Sequence, residues 1–240
     1  MISVCMPTYN GEKFIRQQLD SILNQIAVDD ELIISDDTST DKTIAIIKSY
    51  GDKRIKLIEK QTFHSPIYNL ENALKHAHGD FIFLADQDDI WYPNKVKTIR
   101  DQLKKYDLVV SDCQLIDKDN KVLADSFFER INSGPGFMKN WIKNTYLGCC
   151  MAFNRSVLDD VLPFPKGIAI HDHWIGLNAE LHASVYFCKE ALVGYRKHEN
   201  NQTPFTGGKS KNSLKFKVTY RLKMLFLIFK RGMKRKWRKA

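Results

Sequence analysis

The chain has 240 residues, 43% of them hydrophobic and 27% charged, a length and balance that suit one large α/β domain and exclude a disordered chain, a collagen-like repeat and a polytopic membrane protein. Its formal net charge of +9 divides unevenly, because residues 200–240 hold 13 Lys and Arg and no Asp or Glu, leaving 24 basic against 28 acidic residues in 1–199. A mildly acidic body with a cationic tail points to an anionic surface as a partner of the tail alone.

In chain order, Ile2–Met6 reads as a buried strand that runs into a Pro-Thr-Tyr-Asn-Gly turn, and Phe14, Ile15, Leu19, Ile22 and Leu23 then recur at helical spacing. Leu32–Ser35 is a second strand, Asp41–Tyr50 a helix and Ile55–Ile58 a third strand. Ser65 and Pro66 suit the N-cap and first position of a helix over Ile67–Ala77, which His78-Gly79 ends before a fourth apolar strand, Phe81–Ala85. Strands alternating with helices imply right-handed βαβ units and a mainly parallel sheet. Ligands of such sheets bind beyond the carboxyl ends of the strands, here the loops Pro7–Glu12, Asp36–Asp41 and Asp86–Trp91. The second half is less regular: a helix over Pro93–Tyr106, a strand at Leu108–Ser111, a Gly/Pro loop at Asn132–Gly136, an apolar run at Cys149–Phe153, a helix over His171–His182 and a strand at Ala191–Tyr195.

Five cysteines without a Cys-x-x-Cys pair argue against a disulfide framework and a structural zinc site. With Glu12 near the N-terminus and no cleavable apolar segment there, the expectation is a reduced, cytoplasmic protein.

Asp86, Asp88 and Asp89 put three carboxylates into four residues at the end of a buried strand. Repulsion and desolvation make that costly, and a divalent cation with a preference for hard oxygen ligands, Mg²⁺ or Mn²⁺, removes the cost. A solvated acidic turn, or caps for the helix near Pro93, is the alternative that the acids alone leave open. The composite pattern is more specific. Cys5-Met6-Pro7-Thr8-Tyr9-Asn10-Gly11, then Ser35-Asp36-Asp37-Thr38-Ser39-Thr40-Asp41, then Gly79-Asp80 and Leu84-Ala85-Asp86-Gln87-Asp88-Asp89-Ile90-Trp91 together resemble the family-2 glycosyltransferases. The resemblance runs from Ile2 to about Asn201, and the form Asp-Gln-Asp-Asp-Ile-Trp is similar to a subgroup from bacterial capsule and O-antigen assembly that includes rhamnosyltransferases. It implies a single A-type, Rossmann-like glycosyltransferase domain (1–201, with a nucleotide-sugar half 1–112 and an acceptor half 113–201) followed by a basic amphipathic tail, 202–240. The glycine of the family's Asp-Asp-Gly-Ser turn is Thr38 here, and a branched side chain disfavours positive φ, so that turn is expected to differ locally.

The resemblance implies roles. Pro7, Thr8 and Tyr9 match the loop against the nucleotide base, Tyr9 supplying a stacking face, and Asp37 matches the acid that bonds the imide of uracil or thymine. Asp86 matches the first acid of the Asp-x-Asp motif, near the ribose and donor sugar, and Asp88 the second, which holds Mn²⁺ or Mg²⁺ on the diphosphate. Glu12 is similar to an acid near the nucleotide, although a charge favoured by a helix N-terminus explains it equally. Inverting transfer needs a carboxylate to take the acceptor's proton, and His171-Asp172-His173-Trp174 resembles the family's Glu-Asp motif with His171 in the place of Glu, which makes Asp172 the base. Tyr195-Arg196-Lys197-His198 resembles a late Tyr-Arg-x-His motif, which implies that His198 approaches the diphosphate or completes the metal shell and that Arg196 neutralises phosphate. Tyr146–Cys150 is similar to the segment lining the acceptor pocket. His171 and His173, two apart on a helix, point apart and do not share an ion.

In the tail, Leu214, Val218, Leu222, Leu225, Phe229 and Met233 recur at three- and four-residue steps among Lys and Arg. That pattern suits a helix lying on the inner, anionic leaflet of the cell membrane, beside a lipid-linked (undecaprenyl-diphosphate) glycan acceptor; docking of the helix on the catalytic domain is the other arrangement. The implied reaction takes a UDP- or dTDP-sugar to that acceptor. A nucleotidyltransferase would need a Gly-rich phosphate loop that Pro7–Gly11 is not. A non-catalytic nucleotide-binding protein whose tail takes membrane or nucleic acid is the alternative of a different class, but the acidic body offers no recognisable nucleic-acid module.

Overall fold

The computed structural model describes residues 1–198 and 213–239; at 214 and 233–239 the description extends to the backbone only. The expected boundary at 201–202 and the side chains of Leu214 and Met233 lie outside the described residues. The first half follows the alternation: β1 (Ile2–Thr8), α1 (Ile15–Leu23), β2 (Glu31–Asp36), α2 (Thr43–Ser49), β3 (Ile55–Ile58), α3 (Pro66–Lys75) and β4 (Phe81–Leu84). Ser65 takes the N-cap position and Pro66 opens α3, but the Ser65 side chain makes no cap hydrogen bond. The second half adds β5 (Ile90–Trp91), α4 (Lys95–Leu103), β6 (Leu108–Ile116), β7 (Val122–Ala124), α5 (Phe127–Ile131), α6 (Phe137–Ile142), a 3₁₀ turn at Gly148–Cys150, β8 (Met151–Asn154), α7 (Arg155–Val161), α8 (His171–His182), β9 (Val185–Arg196) and α9 (Leu214–Lys239).

Among the described residues, the strands form one sheet in the order β3-β2-β1-β4-β8-β6-β9-β5, with β7 on β6. β1 pairs in parallel with β2 and β4, and β2 with β3; β1, β2 and β4 are buried along nearly their whole length, whereas β3 at the edge exposes Lys56. β8 is antiparallel to both β4 and β6, and β6 is parallel to β9. The carboxyl ends of β1, β2, β4, β6 and β9 therefore meet one edge, together with the amino end of β8 and the 3₁₀ turn that precedes it. That edge is where the site is built.

β6 and β9 are longer than their apolar cores. Their mutual pairing carries both through Ser111, Asp112 and Gln114, where the register shifts twice, so a long-range ladder holds residues that no local pattern marks as strand. β5 is a two-residue edge strand on β9, and α4 starts at Lys95 because Asn94 sits at φ 68°, outside a right-handed turn.

α9 packs on the body. Met224 and Ile228 are buried, the Arg231 guanidinium donates to the Leu162 carbonyl at 2.6 Å and lies 5.6 Å over the Trp174 ring, and Trp141 Nε1 donates to the Arg221 carbonyl at 3.1 Å. Phe216, Val218, Leu222, Phe226 and Phe229 remain exposed, Phe229 to 69%.

Chain reversal into β4 depends on close approach at Gly79: a Cβ there would stand 2.7 Å from Ser3 N and 2.8 Å from the Met1 carbonyl oxygen, both backbone atoms of the central strand's start. Gly79→Ala is expected to cost about 2–3 kcal/mol in urea unfolding, in the range of an overpacked core; a loss below about 0.5 kcal/mol would mean that β1 moves freely there.

Candidate active site

The loop after β1 is joined to the loop after β2 rung by rung. Asn10 N donates to Ser39 Oγ at 2.9 Å, Thr40 N to Asn10 Oδ1 at 2.8 Å, Gly11 N to Thr43 Oγ1 at 2.7 Å and Glu12 N to Asp41 Oδ2 at 3.0 Å. Thr38 sits at φ 61°, so the turn expected to depart from its glycine form keeps the left-handed backbone that glycine would supply. Its Oγ1 donates to the Gln61 carbonyl, a contact that offsets crowding at the branched Cβ.

The structure separates the expected donor-site residues into those that face the crevice and those behind it. Tyr9 is 55% exposed, its ring open to solvent. Asp37 is buried and accepts Phe63 N at 2.6 Å and Ser65 N at 3.2 Å, which ties it to the start of α3. Pro7 lies within β1, paired with Ser35. Thr8 is buried, and its hydroxyl donates to Asp36 Oδ2 at 2.7 Å, so its side chain orders the second loop. Glu12 Oε2 accepts Lys42 N at 3.0 Å and serves the beginning of α2.

At the end of β4, Asp88 Oδ2 lies 2.6 Å from His198 Nε2, joining the acid loop to the residue two beyond β9. Asp89 is fully buried; its Oδ1 accepts Arg196 N at 2.9 Å, and the Cys149 thiol is a further hydrogen-bond partner. Arg196 is also fully buried. Its guanidinium donates to the carbonyls of Asp88 (2.7 Å), Asp117 (3.0 Å) and Lys118 (3.2 Å), to Asn120 Oδ1 (2.7 Å) and to Gln17 Oε1 (2.9 Å), and lies 4.6 Å over the Phe14 ring. In this arrangement Arg196 holds the acid loop from behind, through backbone. Burial, with the charges of Asp88 and Asp172, pushes Asp86 up to about 7, and burial with Asp88 and Asp86 also raises Asp89. The nearby Lys95 and Arg196 charges compensate these acids only in part, which is the electrostatic signature of a place for a cation.

The donor chemistry can be tested against a hard divalent ion. Asp86, Asp89 and Cys149 bring ligand atoms within 4.8 Å of one another, but Cys149 is a buried thiol pushed up by that burial, a soft and protonated donor. The carboxylate of Asp88 and the imidazole of His198, 2.6 Å apart, are harder donors for such an ion than that thiol.

The candidate base comes from the other half of the chain. Asp172, in the first turn of α8, is 7% exposed, and its Oδ1 accepts Asn144 Nδ2 at 3.1 Å and His173 N at 2.5 Å. Burial pushes it up to about 7 against the opposing pull of those donors and of Gly148 N. Its charge is among those that raise Asp86, so base and acid loop share one electrostatic environment. Burial pushes His171 down to about 4 and keeps it neutral beside Asp172. His173 turns elsewhere, with Nε2 2.9 Å from the Asn140 carbonyl oxygen and its ring 5.9 Å from that of Tyr220. Trp174 is a core residue whose indole donates to the Val161 carbonyl at 3.0 Å.

Two supports were not visible in the sequence. Lys95 is 1% exposed, donates to the Cys149 carbonyl at 2.7 Å and sits 4.4 Å over the Trp91 ring, and its charge opposes the rise at Asp86. Gln18, buried in α1, donates to the Asp86 carbonyl at 2.7 Å. A lysine or glutamine on an amphipathic helix normally faces water, and only the three-dimensional packing turns these inward.

Known proteins fit this geometry. The family model for glycosyl transferase family 2 matches residues 3–162. A dTDP-rhamnosyl transferase, RfbG of Shigella flexneri, is 31% identical over 217 residues, covering 82% of this chain and 73% of that protein. A UDP-Glc:alpha-D-GlcNAc-diphosphoundecaprenol beta-1,3-glucosyltransferase, WfgD of Escherichia coli, is 37% identical over 97 residues, which span 40% of this chain and 38% of that protein. The crystal structure of S. aureus TarS 1-349 with UDP-GlcNAc superposes with a TM-score of 0.71 at 21% identity, covering 96% of this chain and 66% of that one. A mannosyltransferase from Pyrobaculum calidifontis, in complex with GDP-Man and Mn²⁺, superposes with a TM-score of 0.58 at 20% identity over 79% of this chain and 56% of that one.

The raised Asp172 has a consequence for stability. A folded-state pKa of about 7 against an ordinary 3.8 means that the fold holds a proton the unfolded chain releases, so the penalty is absent below about pH 4 and complete above pH 7. Asp172→Asn is therefore expected to raise the thermal midpoint at pH 8, by up to a few kcal/mol in stability, and to raise it much less at pH 5. Equal effects at the two pH values would mean that Asp172 is not desolvated.

Proposed function

The chain belongs to glycosyl transferase family 2, and from that premise we propose that it moves a sugar from a UDP- or dTDP-linked donor to a lipid-linked glycan acceptor in surface-polysaccharide synthesis, with inversion at the anomeric carbon. The observation that carries this reading is the meeting, at one edge of the sheet, of the Asp86–Asp88–His198 cluster from the ends of β4 and β9 with the buried Asp172 of α8. The donor and acceptor classes are supported by the relatives: one is a dTDP-rhamnosyl transferase, and another is named for UDP-Glc and a diphosphoundecaprenol-linked acceptor. A dTDP-rhamnose donor is the more specific form of the same reading.

In the proposed reaction Tyr9 offers its ring to the base, and Asp37 accepts the imide proton shared by uracil and thymine. Asp86 lies toward the ribose and donor sugar. Asp88 and His198 would hold Mn²⁺ or Mg²⁺, which when bound supplies positive charge for the leaving diphosphate. The acceptor hydroxyl attacks the anomeric carbon as the bond to the diphosphate breaks, and its proton passes to Asp172. A carboxyl poised near 7 suits that task, because a large share of it is ionised at neutral pH and that share is basic enough to take a proton. Neutral His171 beside it adds no competing charge.

Attachment to the cytoplasmic face of the cell membrane belongs to the same proposal. Val218, Leu222, Phe226 and Phe229 recur at steps of four, four and three, share one face of α9 and are exposed, apart from the docked Met224 and Ile228. No described helix is long and apolar enough to cross a membrane. Partial insertion of these side chains, with about 1 kcal/mol from each Lys or Arg at an anionic surface, supports peripheral binding.

The donor site is tested by thermal shift with UDP, dTDP, GDP and CMP, each with and without Mn²⁺. A Mn²⁺-dependent stabilisation of about 2.7 kcal/mol at a hundredfold excess over Kd is expected with UDP or dTDP; it should vanish in Asp88→Ala and persist in Asp172→Asn, which no longer transfers sugar. No shift with any nucleotide overturns the reading. For the membrane, deleting α9 would also uncover Trp174, so the informative variant carries Leu222→Ser, Phe226→Ser and Phe229→Ser. It should fold normally and lose at least tenfold in affinity for phosphatidylglycerol vesicles; undiminished sedimentation with them would remove this face as the anchor.

A further inference from the structure

β1 has β2 on one side and β4 on the other, so the loops that follow β1 and β4 part at the point where the strand order reverses. Crevices open at such points, with no backbone ladder to hold their two lips in register. One side chain spans this one. Gln87, between Asp86 and Asp88, accepts a hydrogen bond from Tyr9 N through Oε1 at 3.0 Å and donates through Nε2 to the Tyr9 carbonyl at 2.9 Å. A carboxamide that satisfies both backbone groups of a single residue imitates strand pairing just where β1 and β4 have ended.

Gly11 completes the arrangement. A Cβ at Gly11 would lie 2.3 Å from Gln87 Oε1 and 2.6 Å from its Cδ, and the three nearest atoms it would meet all belong to Gln87. The backbone of Gly11 does not have positive φ, so the obstacle to an alanine there is the Gln87 amide, which would have to move aside. The loop is otherwise fastened on its far side, to the loop after β2, through Asn10, Gly11 and Glu12. Gln87 is thus the tie between the Tyr9 loop and the acid loop, and each of its two bonds is addressed to the residue whose ring stands exposed at the crevice.

We propose that Gln87 is a positioning residue for the nucleotide: it fixes Tyr9 relative to Asp86 and Asp88, so that the base end and the diphosphate end of the donor are held as one unit. This rests on the reading of Tyr9 as the base-stacking face. The chemistry is specific to the amide. A glutamate could accept from Tyr9 N but could not donate to its carbonyl, and would add a fourth acid to the run; an asparagine is one methylene shorter.

The test is a double-mutant cycle in the full chain, read by titration calorimetry with UDP (or dTDP, whichever the intact chain takes) and with inorganic pyrophosphate, each in Mn²⁺. Gln87→Ala should weaken the nucleotide at least tenfold while pyrophosphate, which makes no use of Tyr9, changes less than twofold. Gly11→Ala should do the same, because its Cβ displaces the amide. In the Gln87→Ala background Gly11→Ala should add less than twofold, since the atoms it would strike are gone. Additive losses, unchanged nucleotide affinity in Gln87→Ala, or equal weakening of pyrophosphate would overturn the proposal. An intact chain that binds neither UDP nor dTDP removes the nucleotide reading itself, a failure distinct from that of the clamp.

Discussion

Three carboxylates at the end of a buried strand set the terms for the rest of the site. Two like charges about 4 Å apart repel by about 4 kcal/mol at the effective dielectric of a protein surface, and Asp86, Asp88 and Asp89 are consecutive but for one residue. The fold offsets part of this. Lys95 brings a buried ammonium beneath the cluster, Arg196 donates its backbone amide to Asp89 and its guanidinium to the Asp88 carbonyl, and His198 stands against Asp88. Asp86 and Asp89 nevertheless stay raised, so the compensation is incomplete by construction. A site that neutralised its acids fully from within would have nothing left to offer a cation and a diphosphate.

Asp172 shares that burial. Both it and Asp86 are pushed up to about 7, and they differ in what opposes the rise: the Lys95 charge at Asp86, neutral hydrogen-bond donors at Asp172. Asp172 has no cationic partner in contact; it has burial, two nearby amide donors and a neutral imidazole next door. The mixed sheet makes the meeting possible. Because β8 runs against both β4 and β6, the 3₁₀ turn before β8 arrives at the same edge as the ends of β4 and β9. In that turn Gly148 donates its amide to Asp172 at the start of α8, and the next residue, Cys149, lies beside Asp86 and Asp89.

Legibility in the sequence follows the same division. β1, β2 and β4 could be read to within two residues at each end because parallel, doubly covered strands are rich in Ile, Val, Leu and Phe. The Asp-Gln-Asp-Asp run and the His-Asp pair at 171–172 could be read because their residue types are costly anywhere else. The extents of β6 and β9 could not, since their outer residues are strand only by pairing with each other across some seventy intervening positions. Nor could the inward turn of Lys95, Gln18 and Arg196, whose types are normally solvated. Thr8, Glu12 and Arg196 share a pattern: the first two, matched to the nucleotide loop, and Arg196, matched to a phosphate contact, are all found holding loop framework by hydrogen bonds.

The cationic tail illustrates why composition alone misleads about independence. Its charge sets it off from the acidic body, yet α9 is fastened to that body by side chains of both kinds: Met224 and Ile228 by burial, Arg221, Lys223 and Arg231 by donation to the carbonyls of Ile142, Gly167 and Leu162. Every one of these anchors lies in the second half of the chain, and Tyr220 and Arg231 reach His173 and Trp174, the two residues after Asp172. Basic side chains here do two things that charge counting cannot separate, capping buried carbonyl groups inward and leaving positive charge outward. Whatever the exposed face of α9 contacts is therefore joined through a single helix thickness to the helix that bears Asp172. The loops after β1 and β2 are organised by the sheet, the second half by α8 and α9, and the acid loop of β4 is the seam between them.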